Sequence, residues 1–271
     1  MHIYKMTGSG NDFVMLDGRV TALEAWPSER IRAVCDRRTG VGADGLVRLS
    51  PEAEGVRFEF FNADGSRGEM CGNAALCSVR LASRIGLSPA PEVRLLTDAG
   101  TVVGRTTGGT EAAEIDLPPF PMPEPVGGVP LEPGELSLWF GVVGVPHVVV
   151  KVEKVDEVDV LKRGRTLRWH DAFGRAGANV NFVSRPVLSG GPWRIRTFER
   201  GVEGETLACG TGTVCAAYAL AVAGDARLPA DFVSWGGFPL RVGGVVEGSE
   251  AAGVRLGGMG RLVFEADLRA V

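Results

Sequence analysis

The chain has 271 residues, which is enough for a sizeable core and sets a prior of about two domains. Its net charge is -4, with 29 Lys and Arg against 33 Asp and Glu and no long run of one sign, so a nucleic-acid or membrane surface is not expected. Five cysteines are an odd number without dense scaffold spacing, which points to a reducing cytoplasm rather than to secretion.

The first residues, His2-Ile3-Tyr4-Lys5, alternate like a strand and carry no signal-peptide pattern. Thr7-Gly8-Ser9-Gly10-Asn11-Asp12-Phe13 then breaks two strand-like runs. Two glycines this close suit either an ordinary turn or a loop whose backbone approaches a ligand. Ser28 to Arg38 reads as a surface helix with Ser28 as N-cap and Gly40 past its end; Cys35 falls on its apolar face as a core residue. Val56 to Phe61 alternates as a strand and runs into the turn cluster Asn62-Ala63-Asp64-Gly65-Ser66. More strands are expected at Val93 to Thr97 and Thr101 to Thr107.

Leu117 to Pro125 is too rich in proline for a sheet interior and marks the expected domain boundary. One domain is expected over residues 1–118, joined by a C-terminal strand at 263–271, and a second over 119–262. The second half begins with strands at Leu136 to Val143 and His147 to Val152, separated by a Gly144-Val145-Pro146 turn. A lone histidine at the head of an apolar run, such as His147, is usually a structural residue. A helical segment is expected around Val155 to Phe173. Asn179-Val180-Asn181-Phe182-Val183 is a strand carrying two amides, and Trp193 to Phe198 is another, ending in Glu199-Arg200-Gly201.

One stretch occurs twice. Cys71-Gly72-Asn73-Ala74-Ala75-Leu76-Cys77 is answered by Cys209-Gly210-Thr211-Gly212-Thr213-Val214-Cys215, and a glycine closes each apolar run, at Gly86 and Gly224. A phenylalanine-ended strand and a polar turn precede both. The repeat unit is the size of a domain, too long for a solenoid. Each copy predicts a buried helix with a cysteine at its N-terminal mouth, since Leu76, Val79, Ala82 and Ile85 keep helical spacing and Val214 to Ala223 is apolar nearly all round. The fold expected is α+β, with two pseudo-symmetric β-rich domains, each a barrel-like sheet wrapped around a central buried helix.

A helix start carries unpaired N–H donors and a partial positive charge, both of which favour a thiolate. The same donors can hold a carboxylate. Two such helix starts on opposite faces of one carbon could remove a proton from one side and return one to the other, which is racemisation or epimerisation. Such a pair of thiols would titrate together. A metal or redox role for Cys71, Cys77, Cys209 and Cys215 is disfavoured, because five intervening residues is wide for a zinc pair. No Rossmann, P-loop or HExxH pattern appears, so no cofactor and no metal is expected.

Several motifs together resemble the diaminopimelate epimerase family: Lys5-Met6, Gly8-Ser9-Gly10-Asn11-Asp12-Phe13, Gly42-Ala43-Asp44-Gly45, Asn62 to Ser66, Cys71-Gly72-Asn73, Glu199-Arg200-Gly201 and Ala208-Cys209-Gly210-Thr211-Gly212. They span nearly the whole chain in family order. The resemblance implies a cofactor-independent, cytoplasmic two-base epimerase of LL- and meso-diaminopimelate, in lysine and peptidoglycan precursor synthesis. A small amino acid is the only partner implied, apart from a homodimer as one expected assembly. Cys71 and Cys209 would be the acid/base pair. Asn11, Asn62, Asn179, Glu199 and Arg200 would bind substrate, with the backbone of Gly72, Asn73, Gly210 and Thr211 on its carboxylate, and His147 and Glu199 in support. Val145 stands where the family has an asparagine, Ala74 where it has a glycine and Leu76 where it commonly has an arginine. Gly258-Met259-Gly260 replaces Gly-Pro-Ala. Val145 favours an alternative substrate, another amino acid on the same scaffold.

Overall fold

A computed structural model of the chain describes residues 1–88, 92–108, 111–186 and 190–269. The chain is α+β and strand-rich, with four α-helices among the described residues: α1 (Ser28–Cys35), α2 (Gly72–Arg84), α3 (Val160–Arg168) and α4 (Gly210–Val222). It divides into two compact units, Met1–Asp116 with Gly257–Val271, and Leu117–Leu256. No helix among the described residues is long and apolar enough to cross a membrane.

In the first unit, strand His2–Gly8 lies between Asn11–Asp17 and Arg261–Asp267, antiparallel to both. Residues 270–271 of the strand expected at 263–271 lie outside the described residues. Asn11–Asp17 pairs in parallel with Gly45–Glu52, which is antiparallel to Gly55–Asn62. Gly55–Asn62 is parallel to Glu92–Thr97, and Gly100–Thr106 and Ala112–Asp116 continue antiparallel. A parallel pair needs a long crossover, and the two crossovers here carry α1 and α2. The ladder's ends meet where Gly260 N–H, just before the last strand, donates to Glu111 O at 2.8 Å. α2 packs against strands from both ends of this wall, including His2–Gly8 and Ala112–Asp116. Leu76, Cys77, Val79, Leu81 and Ala82 are completely buried there.

The second unit repeats that order. Glu135–Val143 is antiparallel to Val145–Val152, which is parallel to Asn179–Ser184. Next come antiparallel Trp193–Glu199, parallel Ala230–Ser234 and antiparallel Pro239–Glu247. The crossovers carry α3 and α4. Every residue of α4 from Gly212 to Leu220 is buried, against Glu135–Val143, Val145–Val152, Asn179–Ser184 and Pro239–Glu247. An all-apolar helix sequence fits that setting because it has no face for water. Gly86 and Gly224 take left-handed φ of 71° and 73°, which stops α2 and α4 as expected.

Four local expectations need correction. α1 ends at Cys35, because Asp36 Oδ1 takes the N–H groups of Arg38 and Thr39 into a turn. Its N-cap is Pro27, and the Ser28 hydroxyl donates instead to Gly65 O. The helical segment at Val155 to Phe173 is three pieces: a 3-10 turn at Val155–Glu157, α3, and a 3-10 turn at Asp171–Phe173. Asp159 restarts the helix by accepting Lys162 N–H, and Gly174 at φ 75° ends the last turn. Gly144 alone makes the hairpin corner, with Val145 and Pro146 already paired to Val143 and Val142. The proline-rich stretch also enters the sheet, through two-residue pairings at Phe120–Pro121 and Glu124–Pro125.

The hairpin between the first two strands lies directly on the first turn of α2. A Cβ on Gly8 would stand 2.4 Å from Asn73 O and 2.9 Å from Cys77 Sγ. Gly8→Ala is therefore expected to lower stability by ~1–3 kcal/mol. An unchanged urea midpoint would contradict this packing.

Candidate active site

Cys71 and Cys209 occupy the same place in the two units. Each is the N-cap of the second crossover helix, in extended backbone conformation, and neither helix start has a side-chain cap. The first N–H groups of α2 and α4 are therefore not taken up by a capping side chain, which leaves donors and positive potential beside the sulfur. Gly72 and Gly210 follow as the first helical residues. Both N-cap cysteines are half-buried, whereas Cys35, Cys77 and Cys215 are buried. Burial pushes the thiols of Cys77 and Cys215 up far enough to keep them protonated, and it raises Cys35 to about 11. These three are core residues.

In the first unit the helix start is fixed by amides and charges. Asn73 Nδ2 donates to Asn11 Oδ1 at 2.7 Å, and Asn11 Nδ2 donates to Asp44 at 2.9 Å. Arg37 clamps Asp44 and Asp12, at 2.7 and 2.6 Å. The buried Lys5 ammonium adds a contact to Asp12 at 2.6 Å and another to Gly42 O. Burial would raise the Asp12 carboxyl, but the hydrogen bonds from Arg37 and Lys5 and their charges outweigh it and bring it down to about 2. The chain of bonds orients the Asn73 amide, whose Oδ1 is buried without a partner among the described residues. A buried unpaired acceptor costs about 1–3 kcal/mol, a cost that a donor on a ligand would remove. Asn62 is exposed and turns to Ser66 Oγ at 3.0 Å, outside this chain of bonds.

In the second unit the helix start is held by neutral groups. Cys209 Sγ lies 3.8 Å from Thr211 Oγ1, which lies 3.1 Å from His147 Nε2. Asn181 Nδ2 lies 3.3 Å from His147 Nδ1 and 3.1 Å from Val148 O, and Asn181 Oδ1 accepts from Thr197. Burial, and then the charge of Arg200, bring His147 down to about 3, partly offset by the Val143 carbonyl. Its imidazole is therefore neutral in any ordinary working range. Asn179 Oδ1 accepts the Arg200 N–H at 2.7 Å, which fixes the corner after strand Trp193–Glu199. Glu199 and Arg200 are half-buried at that corner.

The structure thus joins Asn11 with Asn73, His147 with Thr211 and Cys209, and Asn179 with Arg200. The sequence reading did not single out Asn181, Asp44 or Arg37 as site-forming groups. The signal for Asn181 was present, since an amide in a strand of apolar neighbours must find partners. Gly212 permits its position, because a Cβ there would stand 2.1 Å from Asn181 Oδ1.

A family model described as diaminopimelate epimerase matches residues 3–116 and 141–236. The diaminopimelate epimerase of Gemmatimonas aurantiaca is 47% identical over 81% of this chain and 79% of its own length. The chain belongs to the diaminopimelate epimerase family. It is therefore an enzyme, an isomerase of the epimerase type. A second diaminopimelate epimerase, from Aquifex aeolicus, is 44% identical over 80% of either chain. Solved structures extend the likeness of fold beyond diaminopimelate epimerases. A PhzF-family phenazine biosynthesis protein of Bacillus anthracis superposes with TM-score 0.73 at 15% identity, over 99% of this chain and 98% of that one. A probable proline racemase of Agrobacterium radiobacter gives 0.67 at 18% identity, over 98% and 92%.

The charges of this epimerase set its acid limit. The unfolded chain protonates His147 as pH falls through about 6.5, whereas the fold resists protonation until about 3. Unfolding then takes up an extra proton, so stability is full above that window and falls within it, by at most ~1.4 kcal/mol per pH unit. The Asp12 contribution is intact above its ordinary value of 3.8 and is lost as pH falls through about 2. Chemical unfolding across pH 7 to 3 is expected to show a flatter slope between 6.5 and 4 in His147→Asn. In Asp12→Asn the slope is expected to flatten only below 4.

Proposed function

We propose that the enzyme interconverts LL- and meso-diaminopimelate by two-base proton transfer between Cys71 and Cys209. The observation that carries this reading is the equivalence of the two cysteines: each is the N-cap of the second crossover helix of its unit and makes no side-chain cap hydrogen bond there. One sulfur, as thiolate, takes the α-proton. The C–H electron pair stays on carbon and spreads into the adjacent carboxylate. The other sulfur, as thiol, returns a proton on the opposite face, and the two then differ from their starting states by one proton.

An unperturbed thiol is a weak base for an α-proton, so aimed donors must lower the barrier. The backbone of Gly72, Asn73, Gly210 and Thr211 is suited to the carboxylate, whose negative charge grows in the transition state. Asn73 Oδ1 is an acceptor for a substrate donor such as the ammonium. Asn11, Asn62, Asn179, Glu199 and Arg200 are assigned to the remaining polar groups, with His147 and Glu199 in support. The enzyme is read as a cytoplasmic, cofactor-independent homodimer serving lysine and cell-wall precursor synthesis, on a scaffold with one unit of residues 1–118 and 263–271 and another of 119–262.

A second reading rests on Val145, which leads strand Val145–Val152 without a side-chain amide. In it the same two thiols invert an amino acid with a different distal group. An assay of LL-diaminopimelate beside a panel of L-amino acids separates the two. Turnover of LL-diaminopimelate is expected, and turnover of another amino acid alone would transfer the assignment to the second reading.

Cys71→Ala and Cys209→Ala are each expected to lower turnover by about 10²–10⁴-fold. Cys77→Ala and Cys215→Ala should keep turnover and lower stability by about 1 kcal/mol. Equal activity in all four variants would contradict the assignment. Mild oxidation should also join Cys71 to Cys209 and stop turnover, with recovery on adding a thiol reductant, as measured by peptide mapping and activity together. Full activity after oxidation would count against neighbouring sulfurs.

A further inference from the structure

The residue two positions after each N-cap cysteine differs between the units: Asn73 in one, Thr211 in the other. The Thr211 hydroxyl bridges Cys209 Sγ, at 3.8 Å, and His147 Nε2, at 3.1 Å. The direction of each bond follows from the groups behind it. Val148 O can only accept, so the Asn181 atom 3.1 Å from it is the amide nitrogen. That nitrogen has a second hydrogen, and it faces His147 Nδ1 at 3.3 Å. Thr197 completes the orientation by donating to Asn181 Oδ1 at 3.0 Å. That hydrogen makes Nδ1 the acceptor, so the ring's own hydrogen is assigned to Nε2, with Thr211 Oγ1 and the Val143 carbonyl as the acceptors around the ring. The Nε2–H donates to Thr211 Oγ1, which leaves the hydroxyl hydrogen for the sulfur.

We propose that Thr211 is a positioning residue: its hydroxyl, oriented by the Nε2–H tautomer of His147, donates to Cys209 Sγ and favours the thiolate over the thiol at that cysteine. This rests on the reading of Cys209 as an acid/base group and extends it. A donor aimed at sulfur stabilises the anion and not the neutral thiol. The effect is local to the second unit, since α2 has an amide at the corresponding place.

The charged and titratable groups on the elements around Cys209 are few. Strand Val145–Val152 offers His147 and Lys151, and Lys151 is paired with Asp225. Glu199 and Arg200 stand at the corner of Trp193–Glu199, whose Arg194 and Arg196 are paired with Asp156 and Glu205, and Cys215 and Tyr218 lie on α4 itself. Glu135, on Glu135–Val143, is held by Arg163. Pro239–Glu247 carries Arg241, paired with Asp231, and Glu247. Asn179–Ser184 has no titratable side chain. Of these groups His147 is the one bonded to Thr211, and Thr211→Ser keeps that bond, so a shift seen in Thr211→Val and absent in Thr211→Ser reports the hydroxyl.

The test uses the full chain in a Cys71→Ala background, where coupling to the other N-cap thiol is removed. The rate of iodoacetamide addition to Cys209 is followed against pH by peptide mass spectrometry. Thr211→Val is expected to move the midpoint up by about one pH unit, the size of one hydrogen bond to a charged group. Thr211→Ser should restore the original midpoint. An unmoved midpoint in Thr211→Val, or an equal shift in Thr211→Ser, would overturn the proposal. Nitrogen-15 spectra should show His147 with the hydrogen on Nε2, and the opposite tautomer would also overturn it. These readouts need no turnover. Loss of the epimerase reading itself would appear separately, as full activity in Cys209→Ala.

Discussion

A buried helix that begins on a cysteine cannot satisfy its own first N–H groups. The cysteine side chain is a poor cap, and neither Cys71 nor Cys209 makes a side-chain cap hydrogen bond. A serine or aspartate there would close the helix start and consume its donors. A cysteine leaves the donors available and adds a sulfur among them. The rest of each unit positions this arrangement. The alternation of antiparallel and parallel pairs forces a helix into each of two crossovers, and the second crossover is the one the sheet surrounds. Burial of that helix in turn demands the apolar, small-residue sequence that follows each Cys-Gly.

The two units share topology but not the means of holding the helix start. The first uses charge: Arg37 and Lys5 fix Asp12 and Asp44, which fix Asn11 and through it Asn73. The second uses neutral groups, with Thr197, Asn181 and His147 ending on Thr211. One helix start therefore stands on a charged network and the other on a neutral one. Burial keeps the His147 imidazole neutral, so it meets the Thr211 hydroxyl without adding a charge.

The buried helices were the most legible feature of the sequence, since Cys-Gly, an apolar run and a closing glycine recur as a unit. The first crossover helices were less so. α1 and α3 face solvent on one side and end where side chains intercept the backbone, at Asp36 and at Asp159. Such endings depend on rotamers that spacing does not encode. The site residues were legible mainly through likeness to a family. His147 on its own looked structural, and its burial agrees; its bond to Thr211 joins strand and helix residues 64 positions apart. Contacts of that separation come from pairing and register, which no local pattern reveals.

The central claim is that inversion passes between two bases of separate identity. Deuterium incorporation from heavy water, read early in the conversion of LL-diaminopimelate and again in the reverse direction, tests it most directly. The account predicts that product carries a solvent deuteron at the inverted carbon while recovered substrate keeps its proton, in both directions. Deuterium entering recovered substrate as fast as product forms would contradict it, because one base would then be delivering the proton to both faces.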